Sequence, residues 1–231
     1  MESKQRMSPR SPSLALIAFC FLAAACATGS QQQKAPVQVD VMVTWIERVQ
    51  VEADRAKLAL ADSFERLNGL AGGKFGKDSI VEAYARFVQA IDAADQQAKR
   101  FQETVMPMQE AARPVFEQWQ AELATIGSER MRRVSETRLA EAMKRYDAIV
   151  KAAVPAQQQL DAYVKSLRDH AAFLAHDLNP SALDAIQEDV KTVARAAKEL
   201  DFGLDACAVA ARTYVAQNSL PSGTATATPT R

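Results

Sequence analysis

Apolar residues along this chain recur at alternating intervals of three and four, the spacing that lines one face of an α-helix and forms the seam of a coiled coil. Four stretches show it. The first runs Val39, Met42, Ile46, Val49, Ala53, Ala56, Leu60, Ser63, Leu67 and Leu70, and stops at the Ala71-Gly72-Gly73-Lys74-Phe75-Gly76 turn. The second opens on Ser79, three residues before Glu82 in the pattern of a capping box, and runs Ile80, Tyr84, Phe87, Ile91, Ala94, Ala98, Phe101, Val105, Met108, Ala112, Val115 and Trp119. Its phase does not slip at Pro107 or Pro114. Each proline costs a helix about 3 kcal/mol, but a seam in register on both sides predicts one bent helix and not three short ones.

The third stretch keeps phase through Leu139, Met143, Tyr146, Val150, Ala153, Gln157, Leu160, Val164, Leu167, Ala171, Leu174 and Leu178, passes Pro155 in the same way, and ends at Asn179-Pro180. The fourth starts at a Ser181 cap and runs Leu183, Ile186, Val190, Val193, Ala197, Leu200, Leu204, Cys207, Ala211 and Tyr214. A further stripe on the third helix (Ile149, Ala156, Tyr163, His170), and Phe116 beside the second seam, require more than one neighbour for each helix, which favours a bundle over a dimeric zipper. The prediction is an all-α, elongated, antiparallel four-helix bundle with coiled-coil-like packing and helices at about 39–70, 79–126, 129–178 and 181–217.

At about 1.5 Å per residue the two middle helices reach roughly 70 Å and the outer two roughly 45 to 55 Å. Short connections make neighbours antiparallel, so the turns near Gly73 and Pro180 share one end, a four-helix base. The Ile126-Gly127-Ser128 turn then becomes the tip of a protruding two-helix hairpin, extending roughly 25 Å past the outer helices. The amino-terminal tether enters on the same side as this tip.

The two ends of the chain have a different character. Lys4, Arg6 and Arg10 precede an apolar run from Leu14, which closes on Leu22-Ala23-Ala24-Ala25-Cys26. A cationic segment, an apolar segment and small residues before a cut are the marks of an export signal, and a cysteine directly after them resembles the bacterial lipobox. Residues 1–25 are therefore read as a lipoprotein signal peptide, with lipidation at Cys26. The alternatives are a cleaved signal without lipid or an uncleaved anchor, although about a dozen apolar residues are too few to span a membrane comfortably. Residues 26–38 form a polar tether and residues 219–231 a Ser/Thr/Pro/Ala tail with little to bury. The domain between them, 39–218, is a single bundle.

Cysteine usage agrees with this division. Cys20 lies inside the apolar run behind bulky Phe19, a poor processing site, so only Cys207 remains as a free thiol in the mature chain. One cysteine closes no intramolecular disulfide, so packing alone must hold the fold. Its seam position makes Cys207 a small buried hydrophobe; an intermolecular disulfide is the alternative. Without residues 1–25 the chain keeps 25 basic and 27 acidic residues, a net charge of −2 that offers no nucleic-acid footprint.

The tip alone is lopsided in charge. From Glu129 to Arg145 there are six basic residues (Arg130, Arg132, Arg133, Arg138, Lys144, Arg145) and three acidic ones (Glu129, Glu136, Glu141). Such a run is ordinarily a solvated face with pairs such as Glu141 to Arg145. The sharper reading has Arg130, Arg132 and Arg133 meeting anionic lipid headgroups, a cell-wall polymer or an acidic partner, with Trp119 and Phe116 as apolar anchors.

Catalytic patterns do not assemble. His170 and His176 are six apart, off a common helix face, and the positions three before them are Leu167 and Phe173, so the Glu-x-x-His pairs of a di-iron bundle are missing. His170 is read as packing or interhelical glue. The two Gly-Lys pairs between Gly69 and Lys77 mimic a phosphate loop but fail on spacing, with neither lysine followed by Ser or Thr. No catalytic residue, metal or cofactor is therefore assigned.

Phe116-Glu117-Gln118-Trp119, Ser135-Glu136-Thr137-Arg138-Leu139, Arg145-Tyr146, Pro155 and Leu174-Ala175-His176-Asp177-Leu178-Asn179 together resemble an uncharacterised family of bacterial envelope proteins, catalogued as domain of unknown function 2959. The likeness covers about Val43 to Tyr214. It implies an all-helical, coiled-coil-like lipoprotein or secreted protein without assigned activity. By similarity to sorted lipoproteins, Ala27 after the cysteine, where an Asp is absent, implies delivery to the periplasmic face of the outer membrane.

Two functions are compatible with these features. The favoured one is a non-catalytic envelope scaffold or adaptor, anchored in the membrane by its lipid, with a protein or other envelope component as partner and a homo-oligomer as a further option. The other is a lipid or small-molecule carrier using the bundle interior, with space beside Ala53, Ala56, Ala94, Ala98 and Ala153.

Overall fold

The computed structural model describes residues 34–218, with side chains for 38–217. The segment read as a signal peptide, the expected lipidation site Cys26, the first part of the expected tether and the tail 219–231 lie outside the described residues. Five helices follow one another without strands among those residues: α1 (Lys34–Ala71), α2 (Ile80–Leu123), α3 (Glu129–His176), a short α4 (Pro180–Ala185) and α5 (Gln187–Asn218). All belong to the compact unit that begins at Ala35, apart from the first residue of α1.

The prolines behave as the seam required. α2 runs unbroken through Pro107 and Pro114, and α3 through Pro155. Each proline deprives the carbonyl four residues earlier of its partner. Those carbonyls belong to Glu103, Glu110 and Lys151, all exposed, so water can take the place of the missing N–H.

The ends follow local chemistry. The capping box at the start of α2 is complete: the Ser79 amide donates to Glu82 Oε2 at 2.7 Å and the Glu82 amide donates to Ser79 Oγ at 3.2 Å. Those bonds from Ser79 hold the Glu82 carboxyl below its usual range. Between α1 and α2, Gly73 and Gly76 adopt φ of 65° and 64°, left-handed values that a side chain disfavours, and the Gly72 and Lys74 amides close back onto Asn68 and Gly69.

Two boundaries differ from expectation. α1 begins at Lys34, so residues 34–38 are helix and not tether. Pro36 is tolerated there because the first amides of a helix have no intrahelical partner. The fourth predicted helix is split at Ile186 into α4 and α5, and its cap is Asn179, not Ser181. Asn179 Oδ1 accepts from the Ala182 amide at 3.0 Å, while Pro180 occupies the first helical position, where its fixed φ suits the turn.

Bonds between helices give their order around the core. Gln97 of α2 donates to the Glu52 carboxylate of α1 at 2.6 Å, and Lys57 of α1 bonds Asp205 of α5 at 2.6 Å. Asp95 of α2 pairs with Arg168 of α3 at 2.9 Å, and Gly203 of α5 lies against Ala156 and Gln159 of α3. α1 and α3 are therefore diagonal, and Tyr163 spans the core between them, its hydroxyl 3.4 Å from Ser63 Oγ, which donates to the Leu60 carbonyl. The bonds of Gln97, Ser63 and Tyr163 give these buried side chains the partners that water would otherwise supply.

The core follows the seams closely. Nine of the ten predicted positions on α1 and all ten on the last seam are buried, including Cys207. On α3, Met143 is exposed, and Ala142 takes its place beside Ile149, because the second stripe and not the first faces the bundle at this end. The seam alanines Ala53, Ala56, Ala94, Ala98 and Ala153 are all buried. Ala53→Leu and Ala153→Leu are each expected to destabilise by about 1–3 kcal/mol through overpacking, read as a lower urea midpoint at unchanged helicity. An unchanged midpoint would mean that free space lies beside these alanines.

Candidate functional site

Single apolar side chains such as Leu58 and Phe202 are open to water along the rod, but the hairpin tip is a continuous stretch without a buried residue. No residue between Val115 and Leu139 is buried, although the loop and both flanking helix ends are well formed. α3 starts on a Ser128 cap, whose hydroxyl accepts from the Met131 amide, with Glu129 in the first turn where a negative charge suits the helix dipole.

The two arms are tied at Trp119. Its indole N–H donates to Ser135 Oγ at 2.9 Å, and one level deeper the rings of Phe116 and Tyr146 meet at 5.4 Å and a 57° tilt. Burial pushes the Tyr146 hydroxyl up to about 12, with the Asp147 charge acting the same way. The indole thus has its one donor satisfied, while its ring remains half-exposed.

Beside that ring lies a cleft of about 430 Å³ lined by Trp119, Arg130, Met131, Val134, Ser135 and Arg138. Met131 is 67% and Val134 54% exposed, so the walls are apolar and open to water. Arg130, Val134 and Arg138 are spaced i, i+4, i+8 on one face of α3, which places an arginine on either side of Val134, with their backbone positions about 12 Å apart along the axis. Among the described residues no carboxylate lies within ion-pair distance of either arginine.

Trp119 and Arg130 of the expected set therefore come together, while Arg132 and Arg133 do not join them. Arg133 turns to Glu129 at 2.8 Å and Arg132 to Glu136 at 3.8 Å, the ordinary i, i+4 pairs of a solvated helix face. Met131 and Val134 were not singled out from the sequence, and Ser135 and Arg138 were named there but not as part of a site. Their signal was the late start of the third seam, which first buries a residue ten positions into α3 and leaves exposed apolar residues before it.

The tip protrudes past α5, but α1 accompanies it further than the predicted overhang allows. Val39 and Gln38 line a second cleft, of about 180 Å³, with Val115, Gln118, Trp119 and Glu122. α5 meets α1 one turn further down, where Tyr214 donates to Met42 Sδ at 3.9 Å. The earlier start of α1 is the cause: five additional residues extend it along the hairpin.

Elsewhere, the groups considered for chemistry are occupied structurally. His170 Nδ1 donates to the Ser166 carbonyl at 2.7 Å, the bond of a helix-packing histidine, and its Nε2 is buried without a partner. Cys207 is buried, and burial pushes its thiol up to about 12, far from thiolate reactivity at neutral pH. The Gly69–Lys77 stretch serves as the left-handed turn described above. Among the described residues no three of His, Cys, Asp and Glu gather as a metal site would require, and no helix is long and apolar enough to cross a membrane.

Fold and site together define a single-chain antiparallel helical bundle with an uncovered, basic and apolar hairpin tip. Its membership is given by sequence comparison: the chain belongs to the family described as a protein of unknown function (DUF2959), whose model matches residues 33–217. That span takes in every described helix except the outermost residue of α5 and includes the whole tip. No curated protein and no solved structure matches the chain.

Proposed function

We propose that the chain is a non-catalytic scaffold or adaptor of the bacterial cell envelope, anchored through a lipid on Cys26 at the periplasmic face of the outer membrane and presenting its hairpin tip to an envelope partner. The observation that carries this reading is the contrast between the two parts of the bundle. Along the base and middle the seams are spent on packing, whereas at the tip Trp119, Met131 and Val134 remain open between two unpaired arginines. Exposed apolar surface rimmed by charge is a mark of an interaction site. The anchor rests on the Leu22–Cys26 sequence and its cationic, apolar approach.

Metabolic labelling with a lipid precursor is expected to mark the wild-type chain and leave Cys26→Ser unmarked and absent from the membrane fraction. An unmarked wild-type chain overturns the anchor. A photocrosslinking residue at Ser128 is expected to capture an envelope component, and capture of a second copy alone would turn the adaptor reading into self-assembly.

A further inference from the structure

We infer that the tip groove is a docking surface for the anionic headgroups of a phospholipid membrane, the membrane that carries the chain's own anchor; this rests on the lipid-anchor reading of Cys26. Trp119, Met131 and Val134 sit at headgroup level, and Arg130 and Arg138 meet lipid phosphates on either side of them.

The composition of the groove fits an interface more closely than a pocket for one small anion. A pocket of that kind converges its guanidinium groups on a point, while Arg130 and Arg138 stand two helical turns apart with Val134 between them. Trp119 has its N–H bonded to Ser135 and its ring facing the cleft, the amphipathic arrangement that favours tryptophan at the boundary of lipid and water. The neighbouring Arg132 and Arg133 are neutralised by Glu136 and Glu129, so the free positive charge of this segment is concentrated where the apolar residues are. An anionic membrane surface attracts each such arginine.

Chain connectivity favours the membrane over an acidic protein partner. α1 begins at Lys34 and brings Gln38 and Val39 against Trp119, so the chain enters the bundle at the tip. Only seven residues separate Cys26 from Lys34, and the eight backbone steps between the two reach at most about 28 Å. A lipid on Cys26 therefore keeps the groove within reach of the bilayer, at high effective concentration of headgroups.

The test uses the chain from residue 26 onward with Cys26→Ser, which removes the lipid, and Trp45→Phe, which leaves Trp119 as the single tryptophan. All described buried residues lie between Met42 and Tyr214, so this chain retains the core. With vesicles of phosphatidylglycerol and phosphatidylcholine, the Trp119 emission is expected to shift to the blue and the binding to weaken with salt, with no shift on phosphatidylcholine alone. Arg130→Glu together with Arg138→Glu is expected to weaken binding roughly tenfold or more, and Arg132→Glu with Arg133→Glu much less. Met131→Ser, which changes no charge, is expected to reduce the emission shift at unchanged helicity.

Absence of binding to the anionic vesicles, equal binding to phosphatidylcholine, or equal losses in the two arginine pairs would overturn the inference. An equal Trp119 shift with free polyglutamate would overturn it too, and would assign the groove to an acidic protein. Failure here with lipid labelling of Cys26 intact removes the docking surface alone, whereas failure of the labelling removes the anchor.

Discussion

Raising the pH from 9 to 12 is expected to unfold this protein in one cooperative transition. Cys207, Tyr163 and Tyr214 are almost wholly buried. Burial is the main cause that pushes each of them up to about 12, from ordinary values of 9.0 for the thiol and 10.0 for the phenols. The folded protein keeps all three neutral until about pH 12, while the unfolded chain ionises from the ordinary values. Stability is thus flat below pH 9 and falls through the window between the unfolded and folded values. At about 1.4 kcal/mol per pH unit the three together remove on the order of 9 kcal/mol, against a total stability of about 5–15 kcal/mol for a typical domain. Tyr146 shifts in the same direction and adds to the loss.

Far-ultraviolet circular dichroism and phenolate absorbance, followed in one alkaline titration, check this result. Both are expected to move together above pH 10, with the onset raised in Cys207→Ala. Tyr163 and Tyr214 ionising near pH 10 in an intact helical protein would contradict it.

Phe101→Ala is expected to cost about 3–5 kcal/mol, the range for removing a buried aromatic ring. Phe101 is 0% exposed in the middle of α2 and belongs to the one core that all the helices share. At roughly 2–4 °C per kcal/mol for a domain of this size, the melting temperature should drop by about 10 °C. Phe101→Leu, which leaves a smaller void, is expected to lose less than half as much. Thermal melts of the two variants check the ratio, and a loss under 1 kcal/mol for Phe101→Ala, on the order of a surface substitution, would mean that the core collapses around the missing ring.

The bundle was largely legible because its seams are redundant. A periodicity sustained from Met42 to Leu70, or from Leu183 to Tyr214, has one physical solution, a helix with a buried face, and three prolines could not obscure it. Boundaries were less legible, since they depend on competition between neighbours. Asn179 and Ser181 are both good caps, and Pro180 decided for Asn179 by suiting the first helical position. At α1 the polar composition of residues 34–38 concealed a helix that Pro36 was free to start.

The tip was half legible. An excess of arginine between Glu129 and Arg145 shows in the sequence, as does Trp119 on the opposite arm. Which arginines share a surface with that tryptophan does not, because Arg130, Arg132 and Arg133 are adjacent in the chain but about 100° apart per residue around the helix. Packing of α2 on α3 fixed the rotation through the Trp119 to Ser135 bond, and the local Glu129 and Glu136 partners then neutralised two of the three.

By itself, then, the sequence determined the helices, their buried faces and their antiparallel order, since these follow from short-range periodicity and turn length. The tertiary structure decided the rotation of each helix about its axis, the diagonal contact of Tyr163 with Ser63, the reach of α1 along the hairpin, and the meeting of Trp119 with Arg130 and Arg138 on one groove. Those depend on how side chains from separate helices fit against one another, a property of packed surfaces that no spacing along a single helix encodes.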